Sequence, residues 1–217
     1  QETRREYREL LFSTKGLEEY VSGVILHDET IHQKAKDGKA FPELLKEKGI
    51  LVGIRVDTGQ VEMPGFSLEL MSEGMDKMRE KLEEYKKLGA SFAKWRAVYT
   101  ISDSTPSRMN VLVNTTAHAV YAKYCQEAGI VPIVEPDVII NGTHDIEKCA
   151  QVTREVLEKT FLILWDYGVD RKEMILKPNM ILPGKESGEK KTPEEVAEKT
   201  IDVIRAQVPV DVPGIAF

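Results

Sequence analysis

Cysteine is scarce in this chain: Cys125 and Cys149 are the only two in 217 residues. Neither stands in a CxxC or other metal-ligand spacing, and both fall in amphipathic, helix-like sequence. They read as reduced packing residues, which excludes a disulfide-stapled scaffold. No segment reaches the roughly 18 consecutive apolar residues of a membrane span, and Gln1-Glu2-Thr3-Arg4-Arg5 carries no apolar signal region. The expectation is a cytoplasmic protein without a membrane partner. Positive charge is not in excess either. The formal net charge is -6, with Lys and Arg scattered among Glu, which argues against a nucleic-acid surface. Glycine-rich turns of the GxGxxG or GxxxxGK type follow no strand. His27, His32, His118 and His144 form no ligand cluster and read as surface or packing residues, so no metal is expected. Asn114-Thr115-Thr116 and Asn141-Gly142-Thr143 match the glycosylation sequon only by chance, there being no secretory signal.

What is present is a composition of 41% hydrophobic and 30% charged residues, enough for one soluble globular domain with a sizeable core. Apolar, β-branched runs at Val21 to Leu26, Ile50 to Val56, Phe92 to Tyr99, Ile130 to Val134, Met174 to Leu176 and Val212 to Phe217 alternate with helix-period segments. Helices are expected over Glu29 to Lys48, Leu68 to Leu88, Arg108 to Ala128, Asp145 to Tyr167 and Pro193 to Ala206. Thr192, Pro193 and Glu195 spell a helix start with a capping box. Near-continuous apolar strands separated by helices imply an α/β fold with a parallel sheet covered by crossover helices. Periodicity does not separate an open doubly wound sheet from a closed barrel.

Polar residues gather at the C-terminal ends of the strands, in pairs two residues apart: Arg55 and Asp57, Lys94 and Arg96, Glu135 and Asp137, Lys177 and Asn179. Side chains alternate along a strand, so each pair faces one way. Solvated strand ends would scatter charge over both faces and both ends, yet the N-terminal halves here are uncharged. A shared mouth follows, and the C-terminal mouth is where barrel enzymes keep their chemistry. Lys177 stands out, set in the apolar run Ile175-Leu176-Lys177-Pro178-Asn179-Met180. Desolvation and cationic neighbours both disfavour an ammonium, so a lysine so placed can attack a carbonyl as a free amine. Lys94 and Arg96 suit an anionic substrate group. Glu135 is the natural general acid and base, with burial expected to raise its pKa toward neutrality. Asp57 and Asp137 are expected to orient the lysines.

The blocks Gly23-Val24-Ile25-Leu26, Gly53-Ile54-Arg55-Val56-Asp57, Phe92-Ala93-Lys94-Trp95-Arg96, Ile130 to Pro136 and Leu176 to Met180 resemble, in order and spacing, those of class I fructose-1,6-bisphosphate aldolase. The resemblance covers essentially the whole chain. It implies a (β/α)8 TIM barrel that cleaves fructose 1,6-bisphosphate reversibly to dihydroxyacetone phosphate and glyceraldehyde 3-phosphate in glycolysis and gluconeogenesis. It implies no metal and no cofactor beyond the covalent Schiff base on Lys177. By this likeness Glu135 is the general acid and base, Lys94 a catalytic and substrate-contacting lysine, and Arg96, Arg55 and Asn179 substrate-binding, with Asp57 and Asp137 completing the catalytic set. Two departures are visible: Arg55 stands where animal members usually have lysine, and Asp137 where glutamate is common. The same comparison makes residues 1–217 a single barrel domain with about six of the eight strands, lacking the first strand, the last strand and the C-terminal tail. Family members are often homotetramers, so a homo-oligomer acting on a small sugar phosphate is expected. The alternatives are another Schiff-base aldolase, of the transaldolase or deoxyribose-phosphate type, and an impaired fragment serving as a binding or scaffold protein.

Overall fold

A computed structural model describes residues 2–217. In chain order the elements are α1 (Glu2–Ser13), β1 (Gly23–Leu26), α2 (Asp28–Ile31), α3 (Phe41–Glu47), β2 (Leu51–Arg55), β3 (Gly59–Glu62), β4 (Leu70–Glu73) and α4 (Met78–Lys87). There follow β5 (Ala90–Tyr99), α5 (Arg108–Glu127), β6 (Val131–Val138), α6 (Ile146–Asp166), β7 (Ile175–Leu176), α7 (Pro193–Gln207) and β8 (Gly214–Ile215). β1, β2, β5, β6, β7 and β8 pair in that order, every pair parallel. A parallel pair needs a long crossover, and a helix supplies it in each case. The expected helix–strand alternation is therefore present.

The outer face of the sheet carries the core. Trp95, Ala97 and Tyr99 alternate outward from β5 and are buried with Ala119, Tyr121, Ala122 and Cys125 of α5. The rings of Trp95 and Tyr121 stack with centroids 5.8 Å apart. Cys125 and Cys149 are free and buried, as a packing role requires. α7 begins as its sequence dictates, with the Thr192 hydroxyl accepting from Glu195 N at 3.2 Å and the Glu195 carboxylate accepting from Thr192 N at 2.8 Å.

The inner face is curved. A Cβ built on Gly53 would lie 2.2 Å from the Phe92 ring, and one on Gly23, two strands away from β5, only 3.1 Å from it. In a flat sheet those strands stand about 9–10 Å apart, so Phe92 reaching across β2 to β1 marks a sheet rolled inward around it. Glycine is required at 53 because the aromatic ring takes the space of a side chain.

Two segments differ from expectation. The helix anticipated over Glu29 to Lys48 is broken into α2 and α3 by a loop in which Lys34 bridges to Ala40. The helix anticipated from Leu68 begins only at Met78, because 59–73 forms an antiparallel hairpin instead. Gly74, at φ 129°, ends that hairpin where Cβ would meet Val56 O at 2.9 Å, and a helix cannot pass through that backbone conformation. Among the described residues no helix is long and apolar enough to cross a membrane.

Candidate active site

Parallel register carries one set of side chains to the inner face: Gly53 sits opposite Phe92, Arg55 opposite Lys94, and Arg96 opposite Glu135. At the C-terminal ends these side chains join into a chain of charges. Arg55 Nε donates to Asp57 Oδ1 at 2.8 Å, and Asp57 Oδ2 lies 3.9 Å from Lys94 Nζ. Lys94 Nζ stands 2.7 Å from Glu135 Oε2 as an ion pair, and Lys177 Nζ donates to Glu135 Oε1 at 2.9 Å. Four strand ends are therefore linked in one chain of charges, in which the Glu135 carboxylate sits between two amines.

Burial pushes the Glu135 carboxyl up, but the Lys94 and Lys177 amines outweigh it, and the net position is below the usual carboxylate range. The expected rise toward neutrality is corrected accordingly: two hydrogen-bonding cations exceed the desolvation of one buried acid. Glu135 is thus a resting carboxylate, and so begins as a proton acceptor. The side chain of Lys177 is 33% exposed against 13% for Lys94, leaving Lys177 as the amine that a substrate reaches.

Two expected roles are redirected. Asp137 accepts from Arg96 Nε at 2.8 Å and from its Nη2 at 2.5 Å, so it orients an arginine rather than the lysines. Asn179 does not present its amide to the mouth: Oδ1 accepts from Val138 N at 3.2 Å, while Nδ2 donates to Thr153 Oγ1 at 3.2 Å and to Met180 O at 3.1 Å.

Two clefts open on these charges. One of about 660 Å³ is bordered by Arg55 and Asp57 together with Arg8, His27, Lys81 and Tyr85. The other, about 350 Å³, is bordered by Arg96, Asp137, Lys177 and Phe217. His27, expected to be a packing or surface residue, instead follows Gly23 and Ile25 at the inward period of β1 and borders the larger cleft. Burial first, then the charges of Arg55, Arg8 and Lys94, hold its imidazole below the ordinary value, which keeps it neutral. The two-residue spacing Gly23-Ile25-His27 was the signal. Among the described residues no group of three or more His, Cys, Asp or Glu is assembled to hold a metal ion.

The loops after β6 and β7 are interlocked beside this site. Lys185 N donates to Ile140 O and Gly184 N to His144 O, each at 2.8 Å, and Glu186 N donates to Gly142 O at 3.0 Å. Gly142 N returns a bond to the Glu186 carboxylate at 2.6 Å, and Ile146 N, at the start of α6, donates to the Glu189 carboxylate at 2.9 Å. Backbone meets backbone so closely that a Cβ on Gly184 would fall 2.2 Å from Gly142 O.

Parallel strands curled about an inner face, wrapped by helices, with titratable side chains gathered at the strands' C-terminal ends, define the chain as part of a (β/α)8 barrel of the enzyme type. The family model for fructose-bisphosphate aldolase class-I matches residues 1–217. The chain belongs to that family. It is 45% identical over 214 residues to cytosolic fructose-bisphosphate aldolase 4 of Arabidopsis thaliana, covering 99% of this chain and 54% of the relative. It is 48% identical over 217 residues to a probable fructose-bisphosphate aldolase class 1 of Xanthomonas axonopodis pv. citri (strain 306), covering 100% of this chain and 65% of the relative. Among solved structures it matches the fructose-bisphosphate aldolase of Plasmodium falciparum, crystallised with TRAP and a small-molecule inhibitor. That likeness has a TM-score of 0.97 at 41% identity and covers 100% of this chain and 63% of that one. The chain thus spans between about half and two thirds of the length of the relatives it matches.

Proposed function

We propose that the protein is a Schiff-base aldolase that cleaves fructose 1,6-bisphosphate to dihydroxyacetone phosphate and glyceraldehyde 3-phosphate. The observation that carries this is the Lys177–Glu135–Lys94 arrangement, in which an accessible amine shares a resting carboxylate with a second, more buried amine. Glu135 takes a proton from the Lys177 ammonium, the freed amine attacks the ketone at C2, and a C–N bond replaces the C=O π bond. The alkoxide so formed takes the proton that the nitrogen sheds on bonding, and Glu135 returns its own proton to the resulting hydroxyl, which leaves as water and yields an iminium. When the C3–C4 bond breaks, its electron pair flows into the iminium while the C4 hydroxyl gives its proton to the Glu135 carboxylate and becomes the aldehyde of glyceraldehyde 3-phosphate. Glu135 returns that proton to C3 of the enamine, and addition of water to the resulting iminium releases dihydroxyacetone phosphate and restores the Lys177 ammonium.

Lys94 balances charge on Glu135 as its proton comes and goes. Asp57 holds Lys94 and Arg55 in place, and Arg55 and Arg96, one at each cleft, receive the phosphates. Arginine at 55 suits that task because its planar fork matches a phosphate bidentately. The reaction in this form draws on no metal and no dissociable cofactor. Neither an aldolase of another Schiff-base type nor a scaffold role is favoured by a match over the full chain to fructose-bisphosphate aldolases. A cytoplasmic site of action agrees with relatives named cytosolic. A homotetramer agrees with Leu162 and Trp165, which lie exposed on α6, and sedimentation as a monomer would count against it.

Borohydride trapping with dihydroxyacetone phosphate tests the chemistry. The adduct mass is expected on the peptide containing Lys177, and its absence removes the reading. Lys177→Ala is expected to lower the cleavage rate by about 10⁵-fold, the scale on which losing a covalent nucleophile acts.

A further inference from the structure

We propose that Asn179 and Thr153 act as positioning residues for Lys177, fixing its amine against Glu135 without touching substrate; the inference rests on the aldolase reading above. β7 contains only Ile175 and Leu176, so Lys177 lies past the end of its own strand. Its backbone N still donates to Val134 O at 2.8 Å. The next residue, Pro178, has no N–H to give, and the ladder stops there. Beyond the proline the Asn179 side chain takes over, its Oδ1 accepting from Val138 N at 3.2 Å. Lys177 is therefore tied to β6 on both sides, at Val134 through its own backbone and at Val138 through Asn179. Glu135 projects from the same strand between those two ties. The amine and its carboxylate are located from a single ruler.

Thr153 supplies the third point. It is buried on α6 and accepts from Asn179 Nδ2 at 3.2 Å, so the amide is held between the end of a strand and the side of a 21-residue helix. The orientation of the amide follows from its partners, since Val138 N–H is a donor and requires the oxygen. Both hydrogens of Nδ2 are committed, to Thr153 Oγ1 and to Met180 O. Although Asn179 borders the smaller cleft beside Lys177, no donor remains for a phosphate. Position is what this residue can contribute: a misplacement of about 1 Å at a reacting group costs on the order of 10²-fold in rate.

The test compares Asn179→Ala, Thr153→Val and the double variant for cleavage of fructose 1,6-bisphosphate, for the rate of borohydride-trapped adduct on Lys177, and for hydrogen exchange of the Val138 amide. Asn179→Ala is expected to lower kcat and the trapping rate together by about 10–100-fold, with KM within about twofold of the original. Thr153→Val, which cannot touch substrate from inside the helix layer, is expected to lower both in the same direction by a smaller factor. The double variant should be no slower than Asn179→Ala alone, because the two residues form one device. Exchange at Val138 should speed up in Asn179→Ala, and Asn179→Asp, which keeps the acceptor for Val138 N, should restore slow exchange and part of the trapping rate. The proposal is overturned if Asn179→Ala raises KM and leaves trapping unchanged, or if Thr153→Val traps at the original rate. It is also overturned if the variants lose thermal stability with kcat intact. An unmodified protein that forms no adduct overturns the aldolase reading and this role together, whereas a trapping-competent protein with indifferent variants overturns this role alone.

Discussion

Two pairs of lysines at opposite ends of the sheet are held in different ways. At the mouth, Lys94 and Lys177 share the Glu135 carboxylate. At the floor, where the strands begin, Lys86 Nζ donates to Ala128 O and Lys123 Nζ donates to Gly168 O, the latter at 2.7 Å. Those carbonyls close the C-terminal ends of α5 and α6, where orphaned C=O groups and the negative end of the helix dipole favour a cation. A carbonyl can hold an ammonium, but it cannot take its proton. A carboxylate can do both. The same residue type therefore fastens helices at one end and is equipped for proton transfer at the other, and the acceptor makes the difference.

That contrast is sharpened first by Glu135→Gln, which keeps the shape and removes the proton site. The cleavage rate is expected to fall by about 10²–10⁴-fold, the range for loss of a general acid–base group. In the native protein the acid limb of the pH–kcat/KM profile should lie below the ordinary carboxylate range, because Glu135 is held there, and the variant should lack that limb. The floor gives the next largest effect, on folding rather than on rate. Gly53→Ala drives a methyl group into the Phe92 ring and is expected to cost about 1–3 kcal/mol, read from the midpoint of urea unfolding.

His118 lies between the two regions, fully buried on α5. Burial lowers its pKa to about 4 from an ordinary value of 6.5. The unfolded chain thus binds the proton that the folded protein refuses, so this contribution is full above about pH 6.5 and is lost as pH falls toward 4. His118→Leu should remove roughly 2 kcal/mol of the stability difference between pH 7 and pH 5, measured by denaturant titration at both values. Smallest is Lys123→Met, which should lower Tm by about 1–2 °C, a fraction of a kcal/mol, with cleavage unaltered. A change in kcat there would break the distinction between floor and mouth.

Much of this was legible because buried parallel strands are apolar runs, and because polar side chains two apart share a face. That rule brought Arg55, Lys94, Glu135 and Lys177 to one mouth from spacing alone. It held at Lys177, whose backbone N still donates to Val134 O, and failed at Asn179, because Pro178 ends the ladder between them and alternation does not carry past it. It placed Asp137 on the correct face but could not choose its partner, for Arg96 and the lysines lie within reach of the same strand. The hairpin over 59–73 was hidden by Leu68, Met71, Met75, Met78 and Leu82, which mimic a helical stripe, although Gly59, Pro64-Gly65 and Gly74 marked its turns. His27 was overlooked because the strand-like run before it ends at Leu26, one residue short.

The clasp between the loops after β6 and β7 has a consequence for how this protein can change over time. Most of its bonds join backbone to backbone, from Gly184, Lys185 and Glu186 to His144, Ile140 and Gly142, and such bonds are indifferent to the side chains that flank them. The other residues along the rim can therefore drift in identity while the loops keep their path. What cannot drift is their length, the glycines at 142 and 184, and the carboxylates of Glu186 and Glu189 that hold Gly142 N and Ile146 N. Variation around this site should accumulate as substitutions and hardly ever as insertions or deletions.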